Sequence, residues 1–327
     1  MKKIYLVLLS LISIQAFAQT NDLKKIATKK ADSLFNQTVT WRRDFHEHPE
    51  LGNHETRTSG IIADYLKSLG LEVKTGIATT GVVGVLKGGK PGPVVALRAD
   101  MDALPVTERT PVPFASKVTS TYNGQPVGVM HACGHDSHMA MLMTVAKILT
   151  SMKSELHGTV KFIFQPAEEG VQAGEIGGAE EMVKEGVLEN PKVDVVFGLH
   201  IFSYIPVGTL RYHSGGVMAS VNDMKIVIKG KSAHGAYPWF SVDPIVTSAQ
   251  IITDLQTIVS RNVNITENPA VVTIGDINGG TRHNIIPSEV KMQLTVRTTR
   301  DDVRARVLEA IQRLTKAACM GARAPDP

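Results

Sequence analysis

Three short segments of the chain are almost continuously apolar and rich in β-branched or aromatic residues. They span residues 94–97, 160–164 and 193–199, and each is followed at once by polar residues. Runs of this length and composition are typical of strands that are buried on both faces of a sheet. The pattern therefore predicts three central strands, each with polar side chains just beyond its carboxyl end.

Helical segments separate these strands. Apolar residues spaced three and four apart predict helices at residues 23–34 and 61–69, with a non-periodic stretch between them. Two more helices are predicted at 137–149 and 178–185. Strands that alternate with helices indicate an α/β layer architecture, in which functional groups gather at the carboxyl ends of the strands.

The second half of the chain shows a different pattern. Its strands and helices follow the order β-α-β-β-α, which is typical of a ferredoxin-like unit without its last strand. The segments are, in this order, 222–229, 243–259, 270–277, 290–298 and 301–318. We therefore predict a first domain over residues 19–216, a second domain over 217–327 that lacks its last strand, and a chain that is a fragment of a longer protein.

The first residues have the features of a secretory signal peptide. Lys2 and Lys3 precede an apolar run, and Ala16-Phe17-Ala18 supplies a small-x-small cleavage site. The apolar run is shorter than the roughly 20 residues that span a bilayer. We predict a signal peptide over residues 1–18, a periplasmic or secreted protein, and no stable membrane anchor.

Composition narrows the classes of partner. The chain has 327 residues, 43% of them hydrophobic, and a formal charge of +4 at pH 7, as expected for about two globular domains. No basic block with interleaved aromatic residues is present, so we predict no nucleic-acid partner. Cys133 and Cys319 would meet oxidising conditions after export, but the histidines around Cys133 favour a metal thiolate over a disulfide.

The segment HACGHDSH, residues 131–138, has the residue types of a metal site. Cys133 and His135 can both turn toward one ion, since thiolate and imidazole ligands suit zinc and its divalent neighbours. Glu169 and His200, which follow the second and third predicted strands, would complete a set of four ligands. A polar loop rich in histidine is the alternative interpretation.

The adjacent glutamates, Glu168 and Glu169, suggest catalysis as well as binding. Successive side chains of an extended segment point to opposite faces, so we do not expect both to serve one ion. We predict that one binds the ion and that the other faces the substrate as a general base for water. A solvated acidic turn is the alternative.

Further polar residues in these segments are predicted to orient the ligands. Asp100 and Asp102 share one face of an extended segment, where they are candidates for ligands, for orienting residues or for a capped turn. The remaining candidates for an orienting role are His131, Asp136 and His138. The alternative for the histidines is a loop position satisfied by ordinary hydrogen bonds.

Other chemistries explain fewer of these residues. A Cys-His nucleophile pair leaves the two glutamates and His200 without a role. A zinc deaminase needs a PCxxC pair, and the serine-hydrolase and P-loop motifs GxSxG and GxxxxGK[ST] are also absent from the sequence.

Seven motifs resemble those of the co-catalytic metallohydrolases, the family of aminoacylases and zinc carboxypeptidases. The most similar branch is that of N-acyl-amino-acid amidohydrolases, hippurate hydrolases and auxin-conjugate hydrolases. The resemblance extends from Trp41 to Arg297, and MHACGHDSH together with QPAEEG is its most specific part. The motifs are WRRDFHEHPELGNHE, LRADMDALPV, MHACGHDSHMAML, FQPAEEG, GLH, GKSAHGAYPWFSVDPI and GGTRHNIIPSEV.

The resemblance implies a three-layer α/β catalytic domain with a mixed, largely parallel sheet, and an inserted α+β ferredoxin-like domain that serves as lid and dimerisation domain. It implies two divalent ions, zinc or manganese, with cobalt and nickel as further options. The implied ligands are Cys133, His135, Glu169 and His200, and Glu168 is the implied general base.

In the second domain, His234 and Asn284 are similar to residues that steady the oxyanion or the carboxylate of the substrate. The resemblance implies that His234 is offered to the neighbouring subunit of a homodimer. It also implies a further C-terminal segment with one more metal-binding histidine, which this chain lacks. We therefore expect an active parent enzyme and doubt the activity of these 327 residues alone.

The implied reaction is hydrolysis of the amide bond of N-acyl amino acids or of short peptides. A dipeptidase or carboxypeptidase of the same family is one alternative. A catalytically incomplete fragment that binds metal or dimerises is the other.

Overall fold

The computed structural model describes residues 2–266 and 268–325, and it describes side chains from residue 22 onward. The chain divides into two compact units, Met1–Val207 and Gly208–Pro327. The signal peptide predicted over residues 1–18 lies outside the residues whose side chains are described. Among the helices of the described residues, none combines the length and the apolar character that a membrane span requires.

The first unit contains both helices and strands, which alternate in its later part, after residue 134. The predicted helices at 137–149 and 178–185, and all three predicted strands, lie within a few residues of their expected positions. In chain order the elements are α1 (Lys2–Glu47), α2 (Thr56–Ser68), β1 (Glu72–Ile77), β2 (Gly81–Lys87), β3 (Lys90–Asp100), β4 (Thr119–Tyr122), β5 (Gln125–Gly128), α3 (His135–Thr150), β6 (His157–Gln165), α4 (Gly178–Lys184) and β7 (Val195–Gly198).

The central sheet of this unit has the strand order β1-β2-β6-β3-β7. β3 runs parallel to both β6 and β7, whereas β2 pairs antiparallel with β1 and β6. Helices cover both faces: Phe162 and Phe164 of β6 pack in a core with α1, α2 and α3, whereas Ile163 packs in a core with Met182 of α4. The predicted three-layer α/β class, with a mixed sheet that has parallel strands at its centre, is confirmed.

The strand β7 differs from its prediction. Residues 193–199 were expected to be buried on both faces, but all four residues of β7 are exposed, and Phe197 is 59% exposed. The reason is position: β7 is one of the two edge strands of the sheet, and among the described residues it pairs with β3 alone. An apolar run therefore predicted the strand correctly and its burial incorrectly.

The second unit is an α+β structure. Its three-stranded antiparallel sheet has the order β10-β12-β8, and α5 and α6 pack against it around Ile228, Met292 and Val307. This is the predicted β-α-β-β-α arrangement of a ferredoxin-like unit with three of its strands. The elements are β8 (Ser220–Lys229), β9 (Ala233–His234), α5 (Pro244–Thr257), β10 (Ala270–Gly279), β11 (Ile285–Ile286), β12 (Glu289–Thr298) and α6 (Asp301–Gly321).

Candidate metal centre

Four segments meet at the carboxyl edge of the parallel strands. β3 ends at Asp100, β6 ends at Gln165 just before the glutamate pair, and β7 ends at Gly198, two residues before His200. The helix α3 begins at His135 and brings the HACGHDSH segment to the same edge. The convergence expected for parallel strands is therefore present.

His135 lies at the centre of this cluster. It is completely buried, and its Nδ1 donates a hydrogen bond to the carbonyl oxygen of Asp102 at 2.7 Å. Its Nε2 points away from that hydrogen bond and is buried with no hydrogen-bond partner among the described residues. Carboxylate oxygens of Asp100, Glu168 and Glu169 lie 3.9, 3.8 and 3.9 Å from Nε2. A buried ring nitrogen that faces three carboxylates at such distances fits a divalent cation.

Cys133 and His200 lie beside it. The Sγ of Cys133 is 3.2 Å from Nε2 of His200, whose Nδ1 donates to the carbonyl oxygen of Ile201 at 2.6 Å. Possible ligand atoms of Cys133, His135 and His200 lie within 4.8 Å of one another, as do those of His135 and the glutamate pair. The four predicted ligands thus occupy one place, with His135 common to both groups. Their assignment as ligands stays a prediction.

The glutamate pair does not have the extended geometry that we expected. The expectation that the two side chains point opposite ways is wrong, because the segment after β6 bends, with φ of 50° at Ala167 and 107° at Gly170. Both carboxylates therefore approach His135. They differ in exposure instead, since the side chain of Glu168 is 40% exposed and that of Glu169 is 21% exposed. The more accessible Glu168 is the better placed of the two to meet a substrate.

The charges of the cluster favour a bound cation. Burial lowers the pKa of His135, but the adjacent side chains of Asp102 and Cys133 and the charge of Asp100 outweigh it and raise this pKa to about 11. Burial raises the pKa of Asp100 to about 6 and also raises the pKa of Glu169. Buried carboxylates are thus too numerous for the positive charges around them, and a divalent cation corrects this imbalance.

Asp102 and Asp100 have different surroundings. Asp102 orients His135 through its carbonyl oxygen, and its Oδ2 accepts a hydrogen bond from the backbone N–H of Glu169 at 2.8 Å. Asp100 forms an ion pair with Arg98 through one oxygen and faces His135 with the other. The geometry gives Asp102 an orienting role and leaves Asp100 as either a ligand or an orienting residue.

The flanking histidines are neutral. Possible ligand atoms of Asp100, His135 and His138 also lie within 4.8 Å of one another, but one ring nitrogen of His138 is already engaged in a hydrogen bond. Nε2 of His138 accepts a hydrogen bond from the backbone N–H of Ile201 at 3.1 Å, so its proton resides on Nδ1. Burial and the charges of His135 and His200 lower the pKa of His138 to about 3. His138 therefore holds the segment that follows His200. Burial also lowers the pKa of His131 to about 4.

Asp136 belongs to a second buried network, which the sequence analysis missed. Its Oδ2 lies 2.8 Å from Nδ1 of His46 and 2.9 Å from Nε of Arg42, and Nε2 of His46 lies 3.1 Å from Oε1 of Glu108. This network ties the end of α1 to the first turn of α3. The signal was present in the motif WRRDFHEHPE, which supplies both His46 and Arg42.

We expect His46→Phe to lower the free energy of unfolding by about 3 kcal/mol near pH 6, because Glu108 and Asp136 both lose the cation between them and Asp136 keeps only Arg42. The hydrogen bond to Asp136 raises the pKa of His46 above 6.5. Its contribution is therefore complete below pH 6.5 and is lost as the pH rises through the folded-state pKa. Denaturant unfolding of the wild type and of His46→Phe between about pH 5 and 9 measures the two free energies of unfolding. A difference between them that grows with pH would contradict this prediction.

His234 and Asn284 lie together in the second unit. His234 pairs with Ile285 where β9 meets β11, and the N–H of Gly235 donates to the carbonyl oxygen of Asn284 at 2.8 Å. His234 is exposed, and its Nδ1 accepts a hydrogen bond from the N–H of Ala236 at 3.1 Å. The Oδ1 of Asn284 is buried and has no partner among the described residues. Their predicted contact with substrate stays a prediction.

Comparisons with known proteins agree with this geometry. Residues 96–324 match the model of peptidase family M20/M25/M40. The chain is 43% identical to thermostable carboxypeptidase 2 of Saccharolobus solfataricus, over 91% of this chain and 71% of that protein. It is also 43% identical to an N-acetylcysteine deacetylase of Bacillus subtilis, over 89% of this chain and 73% of that protein.

A solved structure supports the same relationship. The Bacillus subtilis YXEP protein, described as a dinuclear metal-binding peptidase of family M20, superposes with a TM-score of 0.72 at 39% identity. The match covers 89% of this chain and 72% of that one. The chain belongs to peptidase family M20/M25/M40 and is a hydrolase of amide bonds.

Proposed function

We propose that this protein is an exported, metal-dependent amidohydrolase that cleaves the amide bond of N-acyl amino acids. The observation that supports it most directly is the buried Nε2 of His135, which has no hydrogen-bond partner in the described part of the chain and faces three carboxylates. The substrate class follows from the similarity to the N-acetylcysteine deacetylase.

The proposed cofactor is a pair of divalent ions, as in the similar YXEP protein. Cys133, His135, Glu169 and His200 would hold them, with Asp102 orienting two of these residues. The thiolate favours zinc, while the carboxylates also suit manganese. When bound, the ions supply Lewis-acid chemistry that polarises the amide carbonyl and makes water more acidic.

In the proposed mechanism, Glu168 acts as the proton carrier. Its partly exposed carboxylate takes a proton from the attacking water and then delivers it to the nitrogen of the leaving amine. The bent segment around Ala167 keeps this carboxylate beside His135 while leaving it open to substrate. Glu169 is anchored through its backbone to Asp102, so the two glutamates have separate supports.

His234 and Asn284 are the proposed contacts for the oxyanion or the carboxylate of the substrate. His234 is exposed, and the two residues are adjacent across the β9–β11 ladder, so they can act on one ligand. We propose that His234 serves the neighbouring subunit of a homodimer. Donors that bind the developing oxyanion stabilise the transition state more than the ground state.

We expect the enzyme, loaded with zinc or manganese, to prefer N-acetyl and N-benzoyl amino acids over dipeptides by at least about tenfold in kcat/KM, or about 1.4 kcal/mol. Chromatographic measurement of the released amino acid under matched conditions gives this ratio. The inverse preference, with release of the C-terminal residue of peptides, would replace the proposal by a carboxypeptidase activity. That second candidate is favoured by the similarity to thermostable carboxypeptidase 2.

A further inference from the structure

Glu55 is a buried carboxylate that contacts the segment of the proposed general base. It is completely buried, and its Oε1 accepts a hydrogen bond from the backbone N–H of Ala167 at 2.9 Å. Its Oε2 accepts a hydrogen bond from the hydroxyl of Thr80. Ala167 directly precedes Glu168 in the chain. Burial of a carboxylate is costly unless its oxygens find such partners, so both contacts matter for the local structure.

The side chain of Glu55 does not cap the helix that it precedes. Although Glu55 occupies the position before α2, its side chain forms no capping hydrogen bond. Glu50 fulfils that role instead, because its carboxylate accepts hydrogen bonds from the backbone N–H groups of Arg57 and Thr58 at 3.0 and 2.8 Å. The carboxylate of Glu55 is therefore directed at the segment of the glutamate pair, and a role in starting α2 does not account for it.

The segment that Glu55 contacts has an unfavourable backbone conformation. Ala167 has a φ of 50°, in the left-handed region that non-glycine residues rarely adopt, and it is buried. A Cβ added to Gly52 would lie 2.5 Å from the carbonyl oxygen of Gly170, so residues 52–55 pack tightly against 167–170. Contacts from outside the metal cluster thus hold the bend that turns Glu168 toward His135.

We propose that Glu55 is a positioning residue for Glu168: by binding the N–H of Ala167, it fixes the bend that sets the general-base carboxylate beside His135. This inference rests on the proposed role of Glu168. Glu169 has a second anchor, because its own N–H donates to Asp102. Loss of Glu55 should therefore displace the base while leaving the proposed metal ligand in place.

Glutamine at position 55 preserves this contact. Its amide oxygen can accept the hydrogen bond from Ala167, and its amide nitrogen can donate to the hydroxyl of Thr80. Burial raises the pKa of Glu55 to about 7, so a neutral side chain is compatible with the site near neutral pH. Alanine removes both contacts. Comparison of the two variants therefore separates the effect of the hydrogen bonds of residue 55 from the effect of its negative charge.

The test compares Glu55→Ala and Glu55→Gln with Glu50→Ala, a matched control that loses the cap of α2 without touching Ala167. We expect Glu55→Ala to lower kcat by about 10- to 100-fold, with KM within about twofold and metal content unchanged. We expect Glu55→Gln to restore kcat to within about threefold of the wild type. Hydrogen–deuterium exchange of residues 165–170 should accelerate in Glu55→Ala and stay unchanged in Glu50→Ala.

Several results would overturn the inference. Unchanged exchange and kcat in Glu55→Ala would do so, and so would an equal loss of kcat in Glu50→Ala, which would mark a general structural effect. If Glu55→Ala does not fold, Glu55→Asp, which is too short to reach both partners, replaces it in the same comparison. Wild-type turnover in Glu168→Gln would refute the assignment of Glu168 as the general base. Loss of turnover in Glu168→Gln together with full activity in Glu55→Ala would refute only the positioning role of Glu55.

Discussion

We expect Glu168→Gln to lower kcat for amide hydrolysis by about 10³-fold, with little change in KM, fold or metal content. The glutamine retains the size of the side chain but cannot accept a proton from water. Glu169 and His135 keep their positions, since Asp102 anchors both. Steady-state kinetics gives kcat and KM, and elemental analysis of the same preparation gives the metal content.

The matched control is Glu180→Gln. Glu180 is an exposed glutamate on α4 that pairs with Lys184 at 3.0 Å, outside the candidate centre. Its replacement removes the same charge from the same unit, so we expect wild-type turnover. Full activity in Glu168→Gln would contradict the assignment of the base, and loss of metal together with activity would make Glu168 a ligand.

We expect His135→Ala to weaken metal binding by more than about 100-fold and to abolish turnover. His135 is the residue shared by all three groups of potential ligands among the described residues, and its Nε2 faces Asp100, Glu168 and Glu169. Loss of one ligand from a site of this kind removes a large share of its affinity, since even residues that only orient ligands contribute about 10- to 100-fold. Isothermal titration calorimetry of the metal-free protein with zinc measures the change in metal affinity.

The control for this variant is His157→Ala. His157 is an exposed histidine at the start of β6, whereas the candidate centre lies beyond the other end of that strand. The substitution removes one imidazole without disturbing the candidate metal centre, so the metal affinity should equal that of the wild type. Undiminished affinity in His135→Ala would show that the ion is held elsewhere.

Parallel strands made much of the candidate site predictable. Asp100, the glutamate pair and His200 each follow a short apolar run, and parallel strands bring such positions to one edge of the sheet. The local pattern of apolar runs followed by polar residues was therefore enough to group residues that lie up to 100 positions apart in the sequence. The β-α-β-β-α order of the second unit was predictable for a similar reason, because each element has a clear apolar period.

The errors concern features that depend on neighbours in space. The bend at Ala167 requires a left-handed conformation, which the residue type disfavours and which surrounding contacts impose. The exposure of β7 depends on its place at the edge of the sheet, and an apolar run contains no information on that place. Glu55 and His46 were missed because their partners, Ala167 and Asp136, lie 112 and 90 residues away.

The central claim is that His135, Cys133, Glu169 and His200 hold the metal while Glu168 remains free to transfer protons. Anomalous diffraction from crystals of the protein grown with zinc or manganese tests it most directly. We predict density within about 2.0–2.3 Å of Nε2 of His135 and of the sulfur or nitrogen of its partners, with the carboxylate of Glu168 not coordinated. Density bonded to His138, or no density beside His135, would contradict it.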